Sequence, residues 1–401
     1  MGAVKAMGML LKFKLSRTMA VLIAVLAATA FAAGGTKSHY VITNDDVPPQ
    51  LISTVSFYTV GTNGALTLTD GVRTGGNGIA GGFFGEDRIQ VLDAGKTQCV
   101  FASEASSSSV VGIDIQTLKV TSSTTGSSSD TGMTNGIGLA MNPHYLYASY
   151  SDVNTIGTFL VKPGCKLKFV GDITVGGLQG GTIDAMFLHG NMMVVTYTDG
   201  SIQSFNISAG KPVSNGDEQN STGSRGGNTY PSGVDITEDG HFAIFGDISI
   251  STVIEVSDIS SGKLTPTVVY RLGSAISSGN IMLSPDESLL YISNTQGDRI
   301  TAAFFDTTTG QLSKGCTSGT LKGYSKDWSY LGSLALADTH GTGGTVYVAE
   351  YGSPSSIGEI KVTSSGGTCT LKETFRSPIA DSSSPGLLSI GMFPPRSFSQ
   401  K

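Results

Sequence analysis

After residue 35 the chain alternates short apolar runs with polar turns and contains no stretch of helical periodicity. One pattern recurs seven times, an apolar strand-forming segment that ends on a polar or aromatic residue. Its copies end at Asn44, Glu104, Tyr150, Tyr197, Asp247, Asn294 and Glu350. Repeats of roughly 40 to 50 residues built from strands alone are typical of β-propeller blades.

A second repeat supports the first. A glycine opens an apolar run shortly before most copies of the first pattern, at Gly136, Gly181, Gly233, Gly279, Gly332 and Gly386. Because glycine lacks Cβ, these runs are expected to be the innermost strands, where neighbouring backbones approach closely. Pairs such as Asn63-Gly64, Asp199-Gly200 and Asp239-Gly240 predict the hairpin turns between strands.

The order of the repeats predicts how the fold closes. The chain begins with outer-type strands from Tyr40 and ends on an inner-type strand before residue 395. Pairing of these two ends completes one blade and removes the open sheet edges. We therefore predict one all-β domain over residues 39–395, a seven-bladed propeller of four-stranded blades. Six or eight blades are the alternatives, since the interval from Asn44 to Glu104 is long.

The first residues have the features of a signal peptide. Positive charges come first, at Lys5, Lys12, Lys14 and Arg17. An apolar run over residues 19–33 follows and contains Ala30-Phe31-Ala32, a small-x-small cleavage pattern. The run is shorter than the about 20 residues of a membrane span, although an uncleaved anchor is the alternative. We expect residues 1–32 to be removed, no membrane span to remain, and the domain to be secreted or periplasmic.

Composition limits the partners. Only 14% of residues are charged, the net charge is −6, and no stripe of Lys or Arg is present. Nucleic acid is therefore not an expected partner. The five histidines are scattered without ligand spacing, so we expect no metal site and no cofactor. The partner classes that remain are a small molecule, a glycan or a cell-envelope protein, bound by a monomer.

Four widely spaced cysteines, Cys99, Cys165, Cys316 and Cys369, fit disulfides in an exported protein. Three pairings are possible. We favour Cys316 with Cys369, since both follow glycines in equivalent outer hairpins. Buried free thiols are the alternative.

Residues 283–287, Leu-Ser-Pro-Asp-Glu, followed by Leu290-Tyr291-Ile292-Ser293-Asn294, resemble the blade signature of lactonase-type propellers. That superfamily includes bacterial 6-phosphogluconolactonase, fungal carboxymuconate lactonising enzyme and surface propellers with Y-V-T-N repeats. The resemblance implies His and Arg just before the inner strands. Residues 230–233 and 277–280, which match those positions, contain neither. Lactone chemistry needs a proton-transfer group and a cation, so their absence there weakens an enzymatic interpretation.

Other residues could supply this chemistry. The carboxylates that end three of the segments are candidate catalytic bases: Glu104, Asp247 and Glu350. Further side chains at segment ends and in nearby loops are candidate ligand-binding groups: Asn294, Tyr150, Tyr197, Tyr230, Arg271 and Arg299. The alternative is that polar residues at strand ends only satisfy turn backbones.

Three functions follow from these features. The first is an exported propeller that binds a ligand or partner through loops at the channel mouth. The second is a lactone hydrolase or cyclase of the 6-phosphogluconolactonase or carboxymuconate lactonising type. The third is a structural cell-surface propeller.

Overall fold

The computed structural model describes residues 39–45, 51–79, 87–127, 135–221, 231–247, 253–271, 278–294, 299–323, 330–337, 343–351, 355–380 and 389–395. Strands dominate these ranges, and the one helical element in them is a 3₁₀ turn, Ser151–Val153. No helix in this part of the chain is long and apolar enough to cross a bilayer. Residues 1–32, Tyr230 and Gly386 lie outside it.

The strands form seven sheets, called blades A to G in chain order. Blade A contains β1 (Tyr40–Asn44), β2 (Thr54–Val60) and β3 (Leu66–Arg73). Blade B contains β4 (Ile89–Ala94), β5 (Thr97–Glu104), β6 (Ser109–Asp114) and β7 (Lys119–Thr125). Blade C contains β8 (Ile137–Met141), β9 (Tyr145–Tyr150), β10 (Thr155–Lys162) and β11 (Lys166–Thr174). Blade D contains β12 (Ile183–His189), β13 (Met192–Tyr197), β14 (Ser201–Ser208), β15 (Lys211–Ser214) and β16 (Gln219–Asn220).

The remaining strands complete the ring. Blade E contains β17 (Pro231–Ile236), β18 (Phe242–Asp247), β19 (Val253–Asp258) and β20 (Thr265–Arg271). Blade F contains β21 (Ser278–Leu283), β22 (Leu289–Asn294), β23 (Arg299–Phe305) and β24 (Leu312–Thr317). Blade G contains β25 (Tyr330–Ala337), β26 (Gly343–Tyr351), β27 (Ser356–Ser365), β28 (Thr368–Glu373) and β29 (Ile379–Ala380). The last strand, β30 (Ser389–Phe393), returns to blade A.

Blade A is closed by the two ends of the domain, as predicted. β30 pairs antiparallel with β1, from Tyr40 opposite Phe393 to Asn44 opposite Ser389. The inner strands β4, β8, β12, β17, β21, β25 and β30 pack side by side around the circle. The predicted all-β, seven-bladed propeller of four-stranded blades is therefore confirmed.

The hydrophobic core is divided among the blade interfaces. Seven clusters of buried side chains are present, and each combines residues of two adjacent blades. Between blades B and C, for example, Phe101 packs with Leu146 and Tyr150. Alternate residues of a strand face opposite sides of its sheet, so each blade contributes to two clusters.

Two inner-strand glycines and three hairpin glycines have the roles that the sequence predicted. Gly233 and Gly279 lie inside inner strands, and a Cβ on Gly233 would stand 2.5 Å from the carbonyl oxygen of Gly279. The hairpin glycines Gly64, Gly200 and Gly240 have positive φ angles of 84°, 84° and 68°. Such angles are unfavourable for residues with a side chain.

Contacts from second strands to the outer hairpin of the next blade recur around the ring. The Tyr147 hydroxyl donates to the carbonyl oxygen of Gly210 over 3.1 Å, and Tyr347 donates to that of Gly64. In each case the glycine belongs to the turn between the third and outer strands of the following blade.

Both disulfides also join adjacent blades. Cys99 of β5 is bonded to Cys165 in the turn before β11, and Cys316 of β24 is bonded to Cys369 of β28. The predicted Cys316–Cys369 pair is confirmed, and β24 and β28 are the outer strands of neighbouring blades. The two positions are not equivalent, however, because Cys316 lies near the end of β24 and Cys369 near the beginning of β28.

Replacing Cys316 and Cys369 together by serine is expected to lower the free energy of unfolding by up to about 4 kcal/mol. The bond closes a loop across 53 residues, which restricts the unfolded chain. Urea denaturation of the variant and the oxidised parent measures the loss. An unchanged unfolding midpoint would contradict the expectation.

Gly233→Ala is expected to destabilise the domain by about 1 to 3 kcal/mol, because the added methyl group meets backbone of blade F. Gly319→Ala is the matched control, since a Cβ there meets nothing within 4 Å. Thermal unfolding of both variants tests the difference. Equal melting temperatures would show that the inner strands of blades E and F can move apart without loss of stability.

Candidate functional site

The predicted site residues lie at one end of the propeller. Adjacent strands of a blade are antiparallel, so inner strands begin where second strands end. We call this end the site face. Second strands end there with Glu104, Tyr150, Tyr197, Asp247 and Asn294, and Glu350 lies one residue before the end of β26. Arg299 begins a third strand there and Arg271 ends an outer strand.

These residues differ sharply in exposure. Glu104, Tyr150, Tyr197 and Asn294 are 0% exposed, Glu350 is 2% and Asp247 is 5% exposed. In contrast, Arg271 and Arg299 are exposed. The second-strand ends thus lie inside blade interfaces. Whether these residues contact a ligand stays a prediction.

Glu104 faces the preceding blade. A Cβ on Gly76, which follows β3, would stand 2.8 Å from the Glu104 Cγ atom. Burial raises the pKa of the Glu104 carboxyl to about 7, and the nearby hydroxyl groups of Ser53 and Thr74 partly oppose the shift. Near neutral pH a proton on this carboxyl avoids the cost of a buried charge.

Glu350 has a similar environment in blade G. Ser356 Oγ donates to Glu350 Oε2 over 2.5 Å. Cβ atoms on Gly323 or Gly358 would collide with the carboxyl group, so glycines make room for it. Burial raises its pKa to about 7, the bond from Ser356 opposes this, and the charge of Glu373 adds to it.

Sequence reasoning missed a set of ionisable residues on the inner strands. Asp87 and Arg88 immediately precede β4, Asp184 lies on β12 and Asp235 lies on β17. No glycine opens β4, so this segment was not recognised as an inner strand. Arg88 nevertheless stands just before an inner strand, where the resemblance to lactonase-type propellers implies a cation.

Arg88 is held by the strands that close the ring. Its peptide N–H donates to Ser389 Oγ over 3.0 Å, and its carbonyl oxygen accepts from Asn44 Nδ2 over 3.4 Å. The residue is 3% exposed. Burial lowers the pKa of its guanidinium to about 10, so the group stays charged at neutral pH.

Asp87 is the partly exposed member of this set. Its φ is 56°, and its carbonyl oxygen accepts from the Leu139 N–H of the next blade over 3.1 Å. Burial of the carboxyl group, with a smaller effect from the charge of Asp235, raises its pKa to about 7. Asp87 can therefore exchange a proton near neutral pH.

Asp235 links two blades through its carboxylate. It accepts from the N–H of Leu283 over 2.7 Å and from that of Ile236 over 2.8 Å. Among the described residues, no group of three or more His, Cys, Asp or Glu could hold a metal ion. The ionisable groups named here can take part in charge recognition, hydrogen bonding and proton transfer.

Comparison with known proteins gives a fold-level result. No protein-family model and no curated protein matches the chain. Among solved structures, a candidate 6-phosphogluconolactonase from Bacteroides fragilis is 15% identical, with a TM-score of 0.55, covering 70% of this chain and 80% of that one. A periplasmic gluconolactonase from Pseudomonas aeruginosa is 14% identical, with a TM-score of 0.54 and coverages of 70% and 82%.

A third structure, a functionally unknown protein from Desulfotomaculum acetoxidans, is 16% identical with a TM-score of 0.63. The aligned region covers 88% of this chain and 98% of that protein's chain. The molecule is a seven-bladed β-propeller whose structural neighbours include lactonases. The resemblance inferred from residues 283–294 is therefore confirmed for the fold.

Stability is expected to fall as pH rises through the titration of the buried glutamates. Below 4.5, their ordinary pKa, folded and unfolded chains both keep the protons. Between pH 4.5 and about pH 7, only the folded chain keeps the two protons. Over this range each carboxyl group lowers the free energy of unfolding by up to about 3 kcal/mol, and at higher pH the stability no longer changes through these groups.

Urea denaturation of Glu104→Gln and Glu350→Gln at pH 5 and pH 8 tests this. Each variant should lose less stability than the parent between the two pH values. If both variants lose as much stability as the parent between pH 5 and pH 8, neither carboxyl group titrates in this pH range.

Proposed function

We propose that the protein is an exported, lactonase-like propeller that binds a small sugar acid or its lactone at the site face. The observation that carries the proposal is the pair Asp87 and Arg88 at the start of the inner strand β4. A guanidinium recognises a carboxylate or a polarised carbonyl, and a carboxyl group bonds to sugar hydroxyls.

Positive charge at the site face supports an acidic ligand. Arg271 and Arg299 are exposed at the site face and favour the approach of an anion. The other ligand-binding candidates, Asn294, Tyr150, Tyr197 and Tyr230, stay predictions within this proposal.

Two observations support export through the signal peptide over residues 1–32. Both disulfides are of the kind that persist in oxidising compartments. One structural neighbour is described as periplasmic. We accordingly propose a secreted or periplasmic location and a mature domain that begins near residue 33.

Lactone hydrolysis is a second candidate function, favoured by the pKa of Asp87 of about 7. Asp87 would take a proton from water while the water oxygen attacks the lactone carbonyl carbon. The ring C–O bond then breaks and the ring oxygen takes up a proton. Arg88 would stabilise the developing negative charge. Glu104, Asp247 and Glu350 stay as alternative proton-transfer groups, less accessible than Asp87.

The test measures binding of aldonic acids and hydrolysis of their lactones by the purified mature protein. Calorimetry gives binding, and a pH-stat with the uncatalysed rate subtracted gives hydrolysis. Arg88→Met is expected to weaken binding about 10- to 100-fold, the loss for a charge-assisted hydrogen bond. Lys168→Met, exposed on the outer strand β11, is the control.

Asp87→Asn and a Glu104→Gln, Asp247→Asn, Glu350→Gln triple variant separate the two possible bases. Hydrolysis lost only in Asp87→Asn assigns the proton transfer to that residue. Hydrolysis lost only in the triple variant would move it to the second strands. If no sugar acid binds and no lactone is opened, the proposal fails and a structural surface propeller remains.

A further inference from the structure

Blade D has an unusual outer edge. Its outer strand β15 has four residues, whereas the outer strands of the other blades have six to nine. The two-residue strand β16 pairs with the beginning of β14. In the segment between β15 and β16, Asp217 Oδ1 accepts a hydrogen bond from the Ser204 N–H over 3.0 Å. The edge of this blade is therefore built from two short strands and a side chain.

An acceptor pattern for N-linked glycans lies on this edge. Asn206-Ile207-Ser208 fits Asn-x-Ser/Thr, and the chain contains one other match, Asn220-Ser221-Thr222. In β14 the side chains of Asn206 and Ser208 are exposed and Ile207 is buried. Asn220 is exposed as well, and Thr222 lies outside the described residues. Both matches thus fall on blade D.

Asn206 lies beside an exposed apolar rim. It pairs with Val213 of β15, and directly opposed residues of antiparallel strands project from the same face. Val213 is 52% exposed. The groove between blades C and D, which is lined in part by Pro212, opens on the other face of the blade, because adjacent residues of a strand face opposite sides. A polar group on Asn206 would cover apolar surface next to a short sheet edge, a place where chains otherwise associate.

We propose that Asn206 is an N-glycosylation site whose glycan shields the rim at Val213, an inference that rests on the proposed export. The Asn206 amide nitrogen forms a bond to the anomeric carbon of a lipid-diphosphate-linked oligosaccharide. The bond from that carbon to the diphosphate breaks, the lipid diphosphate leaves, and the amide proton passes to a base of the transferring enzyme.

The structure also limits when this transfer occurs. β14 pairs with β13 on one side and β15 on the other, so the acceptor peptide is not available to an enzyme in the folded domain. Transfer therefore precedes the pairing of blade D, during translocation. The exposed Asn206 side chain then leaves space for the glycan once the blade has folded.

The full chain is expressed in a yeast secretory host, and the medium and the cells are analysed separately. Peptide mass mapping before and after endoglycosidase treatment reads the occupancy of Asn206. Asn206→Gln and Ser208→Ala are expected to abolish it, whereas Ser208→Thr retains it. Asn191→Gln, an exposed asparagine outside any acceptor pattern, is the control. Static light scattering should show more self-association for secreted Asn206→Gln than for the control.

The outcomes separate the two proposals. Secreted protein without a glycan on Asn206 overturns the glycosylation site and leaves export intact, even if Asn220 is modified. Protein retained in the cells without glycan overturns both. A glycan on Asn206 that disappears in Ser208→Ala but persists in Ser208→Thr supports the assignment.

Discussion

The pairing of β1 with β30 is the interaction on which the propeller depends, because it joins the two ends of the domain into one blade. Its last pair, Asn44 and Ser389, also holds the candidate site. Asn44 Nδ2 donates to the carbonyl oxygens of Arg88 and Ser103, and Ser389 Oγ accepts from the Arg88 N–H. Ring closure thus fixes the backbone at Arg88, so any loosening of the terminal pair displaces the cation of the proposed ligand site.

At three other blade interfaces, the same position of the second strand contacts the next blade, but through different side chains. Cys99, Tyr145 and Phe242 each lie five residues before the end of their strands. Tyr145 and Phe242 pack against Gly210 and Gly310 in the outer hairpin of the next blade, and Cys99 forms a disulfide to that hairpin in blade C. A covalent bond and aromatic packing therefore solve the same geometric problem. Blades that bury their apolar surface only against neighbours need such contacts at every interface.

Most of the fold could be predicted because two physical signals coincide. Short apolar segments that end on a polar or aromatic residue mark the second strands, and glycines mark inner strands where backbones approach closely. The strand β4 escaped prediction because no glycine opens it, and with it Asp87 and Arg88 escaped as well. The polar ends of the second strands lie at one end of the propeller. Their burial could not be predicted, since a repeat identifies the strand while the neighbouring loops decide how much water reaches its end.

Burial alone does not identify a functional carboxyl group in this molecule. Glu350 receives a hydrogen bond from Ser356, and Glu104 is packed beside Gly76 of the preceding blade, so contacts within the fold account for the burial of both. Asp87 differs because it is partly exposed, although burial is the larger cause of its raised pKa and the like charge of Asp235 the smaller one. Ionisable groups with perturbed pKa values that also reach solvent are found more often at functional sites. Partial exposure therefore favours Asp87 over the buried glutamates as the carboxyl group of the proposed ligand site.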